Sequence, residues 1–238
     1  MKLLNKILCF CLLVPTIGFA GEAEIKKSLS NAMPGLGFNS VEKSEIKGLY
    51  RVETSGGETL FASEDGAFFV TGDLYSVGKG RLENLTEVRR VSLRAEQLSA
   101  ISENEKIIFP AKGETKARVA VFTDIDCGYC RKLHKEVPAL NEMGVEVSYL
   151  AYPRAGIGSD SYEKFVSAWC SDDKQGAMTL AKSGKSIPAK TCKNPIANQF
   201  QLGQSMGVTG TPAILLENGQ LIPGYLPADK LGRKLGVL

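Results

Sequence analysis

The sequence predicts a small α+β part followed by a larger α/β layered part, with one long helix between them. Three observations carry that expectation. Between residues 39 and 71, four short apolar runs are separated by Lys47-Gly48, Gly56-Gly57 and Glu64-Asp65-Gly66, the punctuation of antiparallel hairpins. From Arg81 to Ser102, apolar residues recur at three- and four-residue steps. From about Glu103 onward, strand-like and helix-like stretches alternate, the pattern of an α/β layer structure.

Taken in order, residues 23–33 read as a short helix closed by Pro34-Gly35. Strands are expected at 39–44, 49–54, 59–63 and 67–71. Four strands and one helix in about sixty residues make a marginal core, and this stretch has no cysteine to staple it. Pairing with a second copy through an exposed sheet edge would solve that problem. The helix expected at 81–102 places Leu82, Leu85, Val88, Val91, Ala95, Leu98 and Ile101 on one face. Its periodicity fits a spacer of about 30 Å, and fits equally an amphipathic helix packed on either part. The expected division is therefore 21–81, 82–103 and 104–238.

In the last segment, strands are expected at 117–123, 145–150 and 213–217, with a short final strand at 220–222 after the Asn218-Gly219 turn. Helices are expected at 130–143, 161–169, 174–182, 197–206 and 228–235. Those between Leu150 and Val208 read as a helical insertion before the final hairpin.

The chemistry concentrates at Cys127-Gly128-Tyr129-Cys130, where an apolar strand feeds a helix. A thiol in the first turn of a helix meets unpaired N–H groups and the positive end of the helix dipole. Both lower its pKa and hold Cys127 as the attacking thiolate. Cys130 lies one turn on, close enough to close a disulfide with it. The same spacing serves zinc ribbons, but the remaining partners, Cys170 and Cys192, do not form a second CxxC knuckle. No metal and no cofactor is expected.

Residues 1–20 read as a secretory signal: Lys2 and Lys6, an apolar run from Ile7 to Phe19, and small residues before a cleavage site near Ala20. The run is short for a membrane span and is broken by Pro15. Cys9 and Cys11 would leave with it, so four of six cysteines remain, in an oxidising compartment such as the bacterial periplasm. The formal charge of +3 falls to +1 without Lys2 and Lys6, too near neutral to point to nucleic acid or an anionic membrane. Cys170 and Cys192 are expected to close a structural disulfide over 22 residues, with a second redox pair as the sharper alternative. Trp169 beside Cys170 favours burial.

The runs Phe122-Thr123-Asp124-Ile125-Asp126-Cys127-Gly128-Tyr129-Cys130, Tyr152-Pro153-Arg154, Trp169-Cys170, Gly184-Lys185-Ser186, Gly207-Val208-Thr209-Gly210-Thr211-Pro212 and Pro223-Gly224-Tyr225 resemble the DsbC/DsbG family of periplasmic protein disulfide isomerases. The CGYC motif, with Thr before the proline, is closer to the DsbC branch. The resemblance implies a V-shaped homodimer with a cystatin-like N-terminal dimerisation domain, a linker helix and a thioredoxin-like catalytic domain. It also implies reduction by a membrane thiol donor of the DsbD type. Trans is the default for Thr211-Pro212, whereas the resemblance implies a cis bond facing the CxxC. Thr211 would then offer its backbone to an extended client segment, with Gly128 and Tyr129 completing the binding surface. Tyr152 is a further apolar contact or simply packing.

Three residues bear on redox poise. Asp126 opposes the thiolate beside it, unless exposure screens it. Val121 occupies the place where thioredoxins carry a buried acid, so no proton acceptor is assigned there. His134, the single histidine, either tunes the thiols or is a helix-surface residue. The expected function is rearrangement of wrong disulfides in exported proteins through a mixed disulfide on Cys127. A monomeric dithiol oxidant and a dimeric client-binding chaperone are the alternatives.

Overall fold

The computed structural model describes residues 20–78 and 80–238; residues 1–19 of the expected signal segment lie outside the described residues. Two units are distinct. The first holds helix α1 (Ala20–Ala32) and strands β1 (Phe38–Lys43), β2 (Leu49–Thr54), β3 (Thr59–Ser63) and β4 (Phe69–Thr71), in one antiparallel sheet of order β1-β2-β3-β4. Side chains alternate along a strand, so Tyr50 and Val52 of β2 and Leu60 and Ala62 of β3 share a face. With Val41 they bury Ile25 and Leu29 of α1. β4 is one of the two edge strands and is exposed throughout.

The second unit begins with a hairpin that the sequence reading missed: β5 (Tyr75–Gly78) pairs antiparallel with β6 (Arg81–Asn84). Helix α2 accordingly spans Leu85–Ser99 rather than starting at Arg81. Asn84 sets its start, since its side-chain oxygen accepts from the Glu87 N–H at 2.8 Å. Leu82 fell in step with the helical period by coincidence and is exposed on β6. At the other end the helix stops at Ser99, three residues short of the expected Ser102, and a turn at Glu103–Glu105, capped by Ser102, follows.

Of the two readings open for this helix, packing is the one observed. Leu98 and Ile101 pack on Phe122, Leu150, Met206 and Leu215, and Arg94 Nε donates to the Met206 carbonyl at 2.8 Å. The helix meets the Asn218-Gly219 turn so closely that a Cβ on Gly219 would lie 1.9 Å from the Val91 carbonyl oxygen.

The five-stranded sheet has the order β11-β10-β8-β9-β7, built from β7 (Ile107–Phe109), β8 (Ala117–Thr123), β9 (Val145–Ala151), β10 (Ala213–Leu216) and β11 (Leu221–Pro223). β8 and β9 run parallel through crossover helix α3 (Gly128–Glu142), and the other pairings are antiparallel. β7 was not expected, because three residues before Pro110 are too few to show a period. Val119 and Val121 of β8 pack with Leu133, Val137 and Leu140 of α3, and Ala120 and Phe122 pack on the opposite face. Burial on both faces explains why β8 reads as an unbroken apolar run. Helices α4 (Asp160–Trp169), α5 (Lys174–Lys182) and α6 (Ile196–Ser205) stand between β9 and β10, and α7 (Ala228–Leu235) follows β11.

Candidate active site

β8 is the central strand, and its C-terminal end delivers residues 124–126 to the start of α3. Cys127 is the N-cap of α3: its sulfur accepts from the Cys130 N–H at 3.4 Å, and as a thiol it donates to the Thr211 carbonyl oxygen at 3.2 Å. The Thr211-Pro212 peptide is cis and leads into β10, which pairs with β8. Strand pairing thus brings residue 211 to residue 127 across 84 positions of sequence. The two cysteines are free thiols and buried, Cys127 being 3 % exposed. Gly128 faces open space, and Tyr129 is 65 % exposed, stacked on Tyr225 at 6.3 Å.

The two sulfurs are poised apart. Burial opposes ionisation of Cys127, but its contacts with Thr211 and Cys130, the bond from the Cys130 N–H among them, and the Arg154 charge outweigh it and hold its pKa below the usual thiol value. Cys130 lies deeper, and burial pushes its thiol up despite the Lys182 charge. An attacking group that ionises readily, backed by one that does not, suits thiol exchange. Cys170 and Cys192 form a disulfide with Cα atoms 5.7 Å apart, so neither sulfur is available to the CxxC pair.

The structure bears on three readings left open by the sequence. Asp126 is neither free nor unopposed: Arg131 Nη2 lies 3.0 Å and Lys164 Nζ 2.8 Å from its carboxylate. His134 is not a surface histidine. Its Nδ1 lies 2.9 Å from Tyr149 Oη and its Nε2 lies 3.1 Å from Thr179 Oγ1, and burial with the Lys182 charge lowers its pKa to about 4. Tyr152 is packing: it is buried against Phe122 and Phe200 and donates to the Val208 carbonyl at 2.6 Å.

Sequence reasoning missed a buried charged layer beneath the cysteines. Asp124 accepts from Ser161 Oγ at 2.6 Å and from Arg154 N and Nε at 2.9 and 3.2 Å. Burial raises its pKa, but these bonds and the Asp126 N–H outweigh it, and the carboxyl lies below its ordinary value. Lys182, only 3 % exposed, donates from Nζ to Thr123 Oγ1 at 2.7 Å and to the Asp124 carbonyl at 3.3 Å. Burial lowers its pKa to about 8. One signal was available: Lys182 is four residues after Met178, on the same, buried face of its helix.

Comparison with known proteins agrees with this geometry. Residues 17–87 match the disulfide bond isomerase protein N-terminal domain, and residues 105–236 match a thioredoxin-like domain. The thiol:disulfide interchange protein DsbC of Escherichia coli K12 is 37 % identical over 224 residues, covering 93 % of this chain and 91 % of that protein. The chain belongs to the DsbC family. DsbC of Salmonella typhimurium is 38 % identical over 88 % of this chain and 84 % of its own length. DsbC of Pasteurella multocida is 35 % identical over 96 % and 98 %. A disulfide interchange protein from Neisseria gonorrhoeae superposes with a TM-score of 0.51 at 30 % identity, covering 57 % of this chain and 96 % of that one. The DsbC membership makes this chain a thiol:disulfide interchange enzyme with a thioredoxin-like unit.

Proposed function

We propose that this enzyme rearranges wrong disulfides in exported proteins, with Cys127 as nucleophile and Cys130 as resolving thiol. The observation that carries this reading is the Cys127 sulfur, at the cap of α3 and 3.2 Å from the Thr211 carbonyl. An extended client segment hydrogen-bonded to the Thr211 backbone sets its disulfide against that sulfur without reading client sequence. Attack forms a mixed disulfide and frees a client thiol. That thiol re-pairs elsewhere in the client, or Cys130 displaces the client as a dithiol. Gly128 leaves the approach open, and the exposed Tyr129 supplies apolar contact.

The reading extends to the cell. We infer export, with cleavage near Ala20, and a homodimer formed through the N-terminal unit. The edge strand β4, with Phe69 and Val70 exposed and Phe68 exposed just before it, supports the dimer. Each cycle of net reduction leaves a Cys127–Cys130 disulfide, so a membrane thiol donor of the DsbD type is the expected reductant. We infer the division 21–81, 82–103 and 104–238 into dimerisation domain, linker and catalytic domain, the helix of the middle segment being Leu85–Ser99. The test is Cys127→Ser, which is expected to abolish refolding of a scrambled multi-disulfide substrate while leaving suppression of aggregation intact. Full isomerase activity in that variant would overturn the assignment.

A further inference from the structure

A resolving thiol has to lose its proton before it attacks, and Cys130 is the less acidic of the two sulfurs, buried at 1 % exposure. In the thiol form its proton needs an acceptor within the protein. Asp124 is already committed to Ser161, Arg154 and the Asp126 N–H. His134 is held between Tyr149 and Thr179. The Lys182 amine remains. Its Nζ donates to Thr123 Oγ1 at 2.7 Å and to the Asp124 carbonyl at 3.3 Å, and the Thr123 side chain is among the groups that act on the Cys130 thiol.

We propose that Lys182 takes up the Cys130 proton, relayed by the Thr123 hydroxyl, as Cys130 resolves a mixed disulfide. This rests on the functional reading above. Lys182 acts through Thr123 and is a positioning residue for the proton, not a group that touches the client. The step balances as follows. The Cys130 S–H proton passes to Thr123 Oγ1 while the Thr123 hydroxyl proton passes to the neutral amine. The Cys130 thiolate attacks Cys127 Sγ, the Cys127–Cys130 bond forms, and the bond from Cys127 to the client sulfur breaks. The client leaves as a thiolate and is protonated by water. Two electrons pass from the enzyme dithiol to the client disulfide. The Lys182 ammonium then releases its proton to solvent.

A pocket of about 350 Å³ between α3 and α5 is lined by Arg131, His134, Thr179, Lys182 and Ser183. The charged and titratable groups around the amine are Asp124 from the loop after β8, Cys127 at the cap of α3, Cys130, Arg131 and His134 from α3, and Tyr149 from β9. Burial is the main influence on the amine and Arg131 adds to it, whereas Cys130, Asp124 and Cys127 oppose them; the net result keeps Lys182 titrating near 8. A neutral amine is therefore available close to physiological pH, as a solvated lysine is not.

The test uses the full chain and a symmetrical aromatic disulfide whose two thiolates absorb visible light. The first thiolate released reports attack by Cys127, and the second reports resolution by Cys130. In Lys182→Met the first phase should stay within about twofold of wild type, whereas the second should slow roughly tenfold at pH 7, with its pH midpoint raised by about one unit. Thr123→Val, which removes the relaying hydroxyl, should have the same selective effect. A second phase unchanged in rate and pH midpoint in both variants overturns the proposal. A wild-type protein with no first phase would instead refute the role of Cys127. Should the variants fail to fold, titration of carbon-13-labelled lysine in the wild type decides the matter. Lys182 should titrate well below the ordinary lysine range, and its midpoint should move when Cys127 and Cys130 are oxidised. Identical titration in the two redox states refutes the proposal.

Discussion

Electrostatics beneath the cysteines governs behaviour at the scale of single residues. His134 is neutral in the folded protein down to about pH 4, whereas a histidine in an unfolded chain protonates near 6.5. Between those values the unfolded chain binds more protons, so stability falls as the pH drops from about 6.5 to about 4 and levels off below. The slope approaches ~1.4 kcal/mol per pH unit in that window. His134→Gln, which keeps hydrogen-bonding capacity toward Tyr149 and Thr179, should flatten this dependence. Urea unfolding at a series of pH values measures it; an unaltered slope would mean that other groups carry the acid sensitivity. Asp126 is a different case. Arg131 and Lys164 flank its carboxylate, so the charge beside Cys127 belongs to a surface network whose effect salt will screen.

Two elements hold the α/β unit in place by different means. Helix α2 docks by close approach, and Gly219, at φ +85°, is where the backbones meet. Gly219→Ala forces a Cβ into the Val91 carbonyl and an L side chain into left-handed backbone. A loss of roughly 1–3 kcal/mol in chemical denaturation is expected. A variant as stable as wild type would show that the helix shifts at no cost. The segment carrying α5, and with it Lys182, is stapled instead by the Cys170–Cys192 disulfide, which closes a separation of 22 residues. Replacing both cysteines by Ala should cost about 3 kcal/mol. Attack by Cys127 should persist, because neither sulfur touches the CxxC pair.

Isomerisation, at the scale of the whole molecule, asks for more than a reactive thiol, since a client must stay bound while its own sulfurs exchange. The N-terminal unit buries few large side chains, and it leaves Phe68 76 % and Val70 59 % exposed at its sheet edge. Burying that edge against a second copy removes apolar surface from water and pairs free backbone groups. Val70→Asp would put a charge into such an interface at a large desolvation cost. Sedimentation should then give the mass of a monomer, with isomerisation of a scrambled substrate lost and simple reduction of a small disulfide retained. A dimer in that variant would place the contact elsewhere.

Order along the chain determined a great deal here. The strand-to-helix junction at Cys127, most strands and every helix of the α/β unit are written in local periodicity and turn residues, because those patterns act over a few positions. Short elements escaped: β7 has three residues and no period, and β6 mimicked the helix that Asn84 caps. What no local pattern holds is which groups meet across the fold. Pairing of β10 with β8 sets Thr211 on Cys127, and packing of α5 sets Lys182 on Thr123 at the end of β8. A lysine in an amphipathic helix reads as solvated until tertiary packing takes its water away, and that loss of solvation is what changes its chemistry.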